Sequence, residues 1–285
     1  MATRDIRGAT LRYETFGEAG PWLALMPGGR RGFDELVPLA RKLASQGVRV
    51  LLHDRRNCGA SDIVIEGDLG EEEIWADDLA QLLQEIGAAS AFIGGTSSGA
   101  RASVIFHQRH PHRVRGLILI RVTGGSFAAG RLPNIYYGQF IEAARQGGMA
   151  AVCEMPDYQE RIRMNPRNRD RLMALDKDQY IRVMALWLEV FRRGPAEPML
   201  GVESDVLRAI RVPAMVVPGN DRTHGRLAGE AVAGLIPGAV LKPLPIEDTD
   251  EPLLPFADWA PVEERLATSI ADFIAHCDRP HQERV

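Results

Sequence analysis

The sequence predicts an α/β fold: a mostly parallel, twisted sheet with helices on both faces and a helical segment inserted after the sixth strand. Short apolar runs alternate with amphipathic helical patterns, as in folds built from parallel strands and right-handed crossover helices. Between residues 124 and 211 this alternation stops, and helical patterns occur without a strand candidate. We therefore expect a core domain of residues 1–123 and 212–285. Residues 124–211, called the insertion below, are expected to form a helical lid over the sheet.

Six apolar runs are predicted to form the parallel strands. They occupy residues 22–26, 48–53, 91–94, 117–122, 214–217 and 240–244. A hairpin that includes residues 9–16 would add antiparallel strands at one edge of the sheet. Amphipathic patterns predict helices at residues 33–46, 71–86, 98–110 and about 262–276. The core domain is thus expected to alternate strands and helices on both sides of the insertion.

The composition is that of an ordinary globular protein. The 285 residues are 45% hydrophobic and 25% charged, and the net charge of −4 gives no reason to expect nucleic acid or an anionic membrane as a partner. The N-terminus has no apolar signal segment, no run is long enough to span a membrane, and the three cysteines form no metal-binding pattern. We expect a cytoplasmic protein with a small-molecule substrate and without a cofactor or metal ion. Association into a homo-oligomer is left open.

The pattern Gly-x-Ser-x-Gly at residues 95–99 is typical of a nucleophile elbow. This sharp turn between a strand and a helix lifts one serine, here Ser97, out of the sheet. The alternative is a small residue in a tight turn, but the apolar run before the pattern and the helical pattern after it favour the elbow. Because a serine hydroxyl is a weak nucleophile, it needs a base within hydrogen-bond reach.

Three further motifs accompany the elbow, each at the end of a predicted strand. Pro27-Gly28-Gly29 follows the first of the six runs, residues 54–61 follow the second, and Pro218-Gly219-Asn220-Asp221 follows the fifth. In this order the four motifs resemble the α/β-hydrolase superfamily in its lidded form, and the resemblance extends over nearly the whole chain. It implies that Ser97 is the nucleophile and that Asp221 is the acid. It also implies that backbone N–H groups of Gly28, Gly29 and Ser98 hold the oxyanion.

The histidine that this family carries about thirty residues after the acid is missing. The chain has Glu and Asp residues at 247–251 instead, and no histidine occurs between His224 and His276. His224, three residues after Asp221, is the candidate replacement base. Two alternatives stay open: His224 forms a hydrogen bond near the pocket without acting as a base, and Asp221 caps the next helix.

Other polar residues near the expected site have more than one interpretation. His53, at the end of a predicted strand, is better explained as a buried histidine with satisfied ring nitrogens than as a catalytic group. The acids Glu247, Asp248 and Asp250 are solvated, supply a carboxylate base or bind a cation, although no complete set of metal ligands is visible.

Arginines follow several of the predicted strands. Since the carboxyl ends of parallel strands converge on the site in such folds, we expect substrate contacts from Arg30, Arg31, Arg55 and Arg121. A guanidinium group suits carboxylate or phosphate, which favours an anionic substrate. The alternative is structural pairing in a chain that is rich in arginine. The arginines between residues 161 and 171 are predicted to form a solvated helix face.

Three functions fit these observations. The leading hypothesis is hydrolysis of an ester, lactone, amide or activated C–C bond in a small, carboxylated molecule through Ser97. Deleting a triad histidine costs about a million-fold in turnover, so another group must act as the base or the reaction must differ. The second hypothesis is therefore a lyase, isomerase or decarboxylase reaction in the same pocket. The third is a catalytically silent protein that holds or senses a ligand.

Overall fold

The computed structural model describes residues 1–193 and 197–279, and within them eight strands form one sheet. The strands are β1 (Ala2–Ile6), β2 (Ala9–Phe16), β3 (Trp22–Met26), β4 (Arg49–His53), β5 (Ala91–Thr96), β6 (Val114–Ile120), β7 (Ala214–Val217) and β8 (Val240–Leu241). Their order is β1-β2-β4-β3-β5-β6-β7-β8. β2 pairs with β1 and with β4 in antiparallel fashion, and the strands β3 to β8 are parallel to one another. The predicted mostly parallel sheet with an antiparallel edge is confirmed.

Helices cover both faces of this sheet. They are α1 (Val37–Ser45), α2 (Glu71–Glu85), α3 (Ser98–Arg109), α4 (Gly125–Pro133), α5 (Gln139–Glu154), α6 (Pro156–Met164), α7 (Arg167–Met173), α8 (Lys177–Arg192), α9 (Ser204–Arg208), α10 (Arg226–Leu235) and α11 (Glu263–Asp278). On one face α1 and α11 bury an apolar cluster that includes Leu39 and Leu266. On the other face α2, α3 and α10 bury a second cluster, which includes Leu79, Phe106 and Val232. The buried apolar surface of these two clusters is the main stabilising contribution to the core.

Some element boundaries differ from the sequence prediction. Strand β6 ends at Ile120 rather than at residue 122, because Arg121 has a φ of +50° and turns the chain out of the sheet. Strand β8 has two residues rather than five. The helix predicted at residues 33–46 begins as a 3₁₀ turn over Phe33–Leu36, and α1 follows it.

The insertion between β6 and β7 is helical in the described residues, as the pattern predicts. It contains α4 to α9, and its apolar side chains form a cluster around Phe140, Tyr180 and Trp187. Ile63 and Ile65, from the segment between β4 and α2, belong to the same cluster. Residues 194–196 of the insertion and 280–285 of the predicted core domain lie outside the described residues. The division into two domains stays a prediction.

Polar contacts also join the insertion to the segment after β4. The buried carboxylate of Asp62 accepts hydrogen bonds from Arg171 (2.7 Å) and Asn165 (3.1 Å). Asn168 accepts one from the backbone N–H of Ile63 at 2.8 Å. These contacts fix α6 and α7 beside the carboxyl ends of the central strands. Among the described residues, no helix combines the length and the apolar character that a membrane span requires.

Candidate active site

Ser97 occupies the tight turn between β5 and α3. Its backbone has φ 57° and ψ −118°, a conformation that L-residues adopt rarely and at an energetic cost. A Cβ atom at Gly95 would overlap the backbone of residue 99, and one at Gly99 would overlap the carbonyl oxygen of Met26. Both glycines of the motif are therefore required by close backbone approach, and the turn leaves the Ser97 side chain half-buried.

His224 and Asp221 complete a hydrogen-bonded chain to the serine. The Nε2 atom of His224 lies 2.8 Å from the Ser97 hydroxyl oxygen. Its Nδ1 atom lies 2.9 Å from Oδ1 and 3.0 Å from Oδ2 of Asp221. Serine, imidazole and carboxylate thus have the connectivity in which the imidazole can take the serine proton while the carboxylate holds its tautomer.

The histidine and the acid both come from residues 218–225, called the β7 loop below. In sequence, His224 is three residues after Asp221, and the turn is held by two bonds from the N–H groups of Thr223 and His224 to Oδ1 of Asp221. Helix α10 begins later, with Gly225 at its N-cap. Asp221 therefore does not cap that helix. Although the histidine that the resemblance implies after β8 is missing, an imidazole still lies next to Ser97.

Residues 242–255, called the support loop below, follow β8 and hold the β7 loop by backbone groups. The N–H of Leu254 donates to Oδ2 of Asp221 at 3.0 Å, and the hydroxyl of Thr223 donates to the carbonyl of Pro252 at 2.6 Å. The N–H of Thr249 donates to the carbonyl of Asn220 at 2.8 Å. The acidic side chains of this loop are exposed. They are Glu247, Asp248, Asp250 and Glu251.

Arg121 adds a positive charge beside the acid and the imidazole. Its Nη2 atom donates to Oδ2 of Asp221 and to the carbonyl of Leu254, both at 2.6 Å, and lies 3.3 Å from Nδ1 of His224. Its guanidinium carbon lies 5.3 Å from the centre of the Trp259 ring. Arg121 is 2% exposed, so its charge is poorly screened by water.

The surroundings lower the pKa of both ionisable groups, Asp221 and His224. Burial raises the pKa of Asp221, but hydrogen bonds from His224 and Leu254 and the charges of His224 and Arg121 outweigh it, so the pKa lies below its usual range. Burial lowers the pKa of His224. The hydrogen bond to Asp221 opposes this effect, and the charge of Arg121 adds to it. At neutral pH the acid is ionised and the imidazole is neutral, as a general base requires.

The backbone donors predicted for the oxyanion lie next to the serine. Gly28 approaches so closely that an added Cβ would lie 3.2 Å from the Cβ of Ser97. Its N–H points to the carboxylate of Glu35 at 3.4 Å. The N–H groups of Gly29 and Ser98 have no hydrogen-bond partner among the described residues, and Ser98 is the first residue of α3, where N–H groups lack helical acceptors. Of the three residues, Gly29 and Ser98 are therefore better suited than Gly28 to donate an N–H group to an oxyanion.

Thr123 also contacts the serine, and the sequence analysis did not identify it. Its hydroxyl oxygen lies 3.1 Å from that of Ser97, and its side chain is buried. The backbone carbonyl of Thr123 accepts a hydrogen bond from the N–H of Leu200 at 3.0 Å, which fixes the position of the residue. A threonine shortly after a predicted strand has no distinguishing sequence signal.

Ser97 and His224 line a cavity of about 300 Å³ between the strand ends and the insertion. Apolar walls come from Leu132, Ile135, Tyr136, Leu254 and Phe256. Charged side chains complete the lining, and they are Arg30, Arg31, Glu35, Arg121, Arg131, Asp157, Glu160 and Arg161. A small site with apolar walls and a few convergent polar groups is typical of ligand binding.

The four arginines predicted to contact substrate have different environments. Arg30 lines the cavity but forms two bonds to Glu71, at 2.8 and 2.7 Å. Arg31 lines it from an exposed position and pairs with Glu35 at 3.2 Å. Arg121 lines it beside Asp221 and His224. Arg55 is not part of the lining: its guanidinium donates to the Gly29 carbonyl at 2.6 Å and packs on Trp75, a structural position.

Two other sequence interpretations need correction. Arg161 is 3% exposed and lines the cavity, so it does not belong to a solvated helix face. Its helix α6 buries Tyr158 three residues earlier, and this spacing on one helix face was the available signal. His53 is fully buried as predicted, but neither ring nitrogen has a hydrogen-bond partner among the described residues. Burial, with the nearby charge of Arg55, lowers its pKa to about 3.

The support loop does not form a metal site with its neighbours. In residues 1–193 and 197–279 there is no group of three or more His, Cys, Asp and Glu side chains arranged to hold a metal ion. Among the acids of this loop, Asp248 forms an exposed ion pair with Arg226 at 3.3 Å.

Comparisons with known proteins agree with this architecture. The sequence model of a family described as "alpha/beta hydrolase fold" matches residues 21–145. Over 116 residues the chain is 31% identical to a protein of Bacillus subtilis (strain 168) named "Uncharacterized hydrolase YraK". This match spans 41% of the chain and 42% of the relative, so less than half of that protein is represented.

Solved structures extend the likeness to the whole chain. The enol-lactonase from Burkholderia xenovorans LB400 has a TM-score of 0.64 at 20% identity, over 96% of this chain and 100% of that one. A thermophilic esterase from Thermogutta terrifontis, solved with malate bound, has a TM-score of 0.65 at 20% identity, over 98% and 100%. At these identities the likeness concerns the fold. The chain has the α/β-hydrolase fold.

Proposed function

We propose that the protein is a serine hydrolase that cleaves the acyl bond of a small ester or lactone. Ser97 is the nucleophile, His224 the general base, and Asp221 the group that orients and stabilises the imidazole. The single observation that carries this proposal is the 2.8 Å contact between Nε2 of His224 and the hydroxyl oxygen of Ser97. This contact supports His224 as the base, and the apparent absence of a base was the main objection to hydrolysis.

The reaction follows from the positions of these groups. His224 takes the proton of the Ser97 hydroxyl as the oxygen attacks the substrate carbonyl, and Asp221 stabilises the resulting imidazolium. The N–H groups of Gly29 and Ser98 donate to the developing oxyanion, a contribution of about 3 kcal/mol per donor. His224 then protonates the leaving alcohol. Water attacks the acyl-serine by the same route in reverse, and the acid product leaves.

The hydroxyl of Thr123 suits a supporting role in this cycle. The Ser97 oxygen can donate to His224 and at the same time accept a hydrogen bond from Thr123, since the two contacts are 2.8 and 3.1 Å. That arrangement holds the serine in the orientation from which its proton passes to the imidazole.

The other two functions have lost their main support. A lyase, isomerase or decarboxylase reaction and a silent binder were favoured by the missing histidine, whereas the β7 loop offers an imidazole in reach of Ser97. The neutral state of the buried His224 at pH 7 further suits a base. An ester or lactone substrate also agrees with the activities named for two proteins of similar fold, the enol-lactonase and the thermophilic esterase.

We infer that the insertion is the cap of this site. Leu132, Ile135, Tyr136 and Arg161, all from the insertion, line the cavity with the catalytic groups. Enclosing the substrate in this way excludes water and strengthens electrostatic interactions with the oxyanion. The length and polarity of the acyl group accepted by the protein should therefore respond to substitutions in α4 and α6.

A fluorophosphonate probe and a series of 4-nitrophenyl esters test the proposal. The purified protein should become labelled at Ser97, located by mass spectrometry of peptides, and should hydrolyse short-chain esters. Ser97→Ala should lose both labelling and hydrolysis while its Tm stays close to that of the wild type. Hydrolysis that survives in Ser97→Ala, or a folded wild type that neither labels nor turns over any ester, contradicts the proposal.

A further inference from the structure

Arg161 is a buried cation without a carboxylate partner in residues 1–193 and 197–279. Its Nε atom donates to the carbonyl of Asp157 and its Nη1 atom to the carbonyl of Asn57, both at 2.9 Å. Its guanidinium carbon lies 4.1 Å from the centre of the Tyr158 ring. The Nη2 atom is buried and has no hydrogen-bond partner among the described residues. The side chain is thus held in place by neutral groups, and the N–H groups of Nη2 are left unpaired.

The buried charge around Arg161 is positive in sum. Arg55, Arg30 and Arg161 all lie near the thiol of Cys58: burial raises its pKa to about 11, and the three guanidinium charges act in the opposite direction. Glu71 balances Arg30 through two hydrogen bonds. Within the described residues, no carboxylate forms an ion pair with Arg55 or Arg161. Two buried guanidinium charges therefore have no carboxylate partner in the part of the chain that the structure describes.

Such an arrangement is expensive unless an anion is bound. Removing a charged group from water costs several kcal/mol, and the cost is recovered only when an opposite charge and hydrogen bonds take the place of water. Arg161 lines the cavity that contains Ser97, so an anionic group of a bound molecule could provide both.

Arg131 of helix α4 repeats the pattern on the same cavity. Its Nη1 atom is buried without a hydrogen-bond partner among the described residues, and its guanidinium packs 5.8 Å from the centre of the Phe127 ring. Arg131 likewise has no ion pair with a described carboxylate. The other cavity arginines differ, because Arg30, Arg31 and Arg121 pair with Glu71, Glu35 and Asp221.

We propose that Arg161, together with Arg131, forms an anion subsite that binds a carboxylate on the acyl part of the substrate. The identity of the anion as part of a substrate rests on the proposed hydrolysis at Ser97. The subsite explains why two insertion arginines lie in the cavity wall with free donors. It differs from the sequence expectation, in which the anion was to be held by arginines at the strand ends.

Matched pairs of 4-nitrophenyl esters measure the contribution of the subsite. Mono-esters of succinate, glutarate and adipate are compared with butyrate, pentanoate and hexanoate esters, which replace the free carboxylate by a methyl group. The wild type should favour the anionic ester of at least one pair in kcat/KM. In Arg161→Gln, the ratio of the anionic to the neutral substrate should fall about 10- to 100-fold, the range for a hydrogen-bonded charge.

Controls separate charge from folding. Arg163→Gln replaces an exposed arginine of the same helix, so it changes the net charge by the same amount as Arg161→Gln. It should leave the ratio of anionic to neutral substrate unchanged. Arg161→Lys keeps the charge without the fork and should retain part of the preference. Thermal unfolding of each variant tests for a loss of structure. A wild type that hydrolyses the neutral esters but shows no anionic preference, or a preference that Arg161→Gln leaves intact, overturns the subsite and leaves the hydrolase proposal standing.

Calorimetric titration with glutarate tests the subsite without turnover. Glutarate should bind Ser97→Ala and should bind the double variant with Arg161→Gln at least about tenfold more weakly. Inorganic phosphate serves as the competing oxyanion and should bind Ser97→Ala more weakly than glutarate. Equal glutarate binding by the two proteins, no binding to either, or tighter binding of phosphate contradicts a carboxylate subsite. These binding outcomes can be read even if the protein hydrolyses no ester. The absence of hydrolysis would contradict the proposed function and not the subsite.

Discussion

The β7 loop and the support loop lie side by side at the carboxyl end of the sheet, yet they contribute different groups. The β7 loop provides two side chains, Asp221 and His224, within 3.0 Å of each other, and His224 contacts Ser97. The support loop provides backbone: the N–H of Leu254 and the carbonyl of Pro252 bind the neighbouring loop. The comparison teaches that a carboxylate and an imidazole can both come from one turn when an adjacent segment holds that turn in place.

The largest expected effect comes from removing the imidazole. His224→Ala should lower kcat for a 4-nitrophenyl ester by about 10⁵- to 10⁶-fold, because the serine proton then has no acceptor. Steady-state kinetics measure the loss, and His276→Ala, an exposed histidine of α11, is the control. Substantial remaining activity in His224→Ala would mean that the support loop supplies the base after all.

Replacing the acid should have a smaller but still large effect. Asp221→Asn should lower kcat by about 10⁴-fold, since an amide no longer holds the tautomer or stabilises the imidazolium. Circular dichroism checks that the protein remains folded, since groups of the β7 loop, of the support loop and of Arg121 all bind this carboxylate. An unchanged kcat in a folded variant would remove Asp221 from the mechanism.

Thr123→Val should cost about 3- to 10-fold in kcat, the usual contribution of one neutral hydrogen bond. The substitution is nearly isosteric and keeps the backbone bond to Leu200. Thr123→Ser should restore most of the activity, because it returns the hydroxyl. If serine and valine behave alike, packing rather than the 3.1 Å contact with Ser97 explains the residue.

Arg121 should influence the pH dependence. The base must be neutral, so kcat/KM should fall as the pH drops through the pKa of His224, which burial and the Arg121 charge hold below its usual value. Arg121→Gln removes that charge and should move the acid limb of the profile to higher pH. Arg222→Gln, an exposed neighbour in the β7 loop, should leave the limb in place. A shift to lower pH in Arg121→Gln contradicts this assignment.

The smallest effect is expected from the acids of the support loop. A triple variant with Glu247→Gln, Asp248→Asn and Asp250→Asn should change kcat/KM by about twofold or less, because exposed charges interact weakly through water. Progress curves against the wild type suffice for the measurement. A loss comparable to that of Asp221→Asn would give these carboxylates a direct part in the chemistry.

The fold and the tight turn that holds Ser97 were accessible from the sequence, because both depend on local patterns. Alternating apolar runs predicted β3 to β8, and the glycines around Ser97 are needed by the backbone of that turn itself. The base was only a candidate. Its assignment depends on whether a turn three residues long brings His224 back to Asp221 and Ser97, and such a contact is decided by tertiary packing.

The residues that the sequence analysis missed depend on distant parts of the chain. Thr123 becomes relevant because β5 and β6 are neighbours in the sheet. Arg161 is buried because the carbonyl of Asn57, 104 positions away, accepts its hydrogen bond. No local sequence pattern predicts this contact. An arginine-rich helix is therefore predicted to be solvated unless the surface against which it packs is known.

The short separation of Asp221 and His224 has a practical consequence for protein engineering. In folds where acid and base come from separate loops, transferring a proton relay to another scaffold means grafting two peptides and preserving their relative placement. Here a single eight-residue exchange, residues 218–225, would carry both groups with the turn bonds that align them. The recipient would need only an adjacent backbone N–H in the place of Leu254 and a serine at its own elbow.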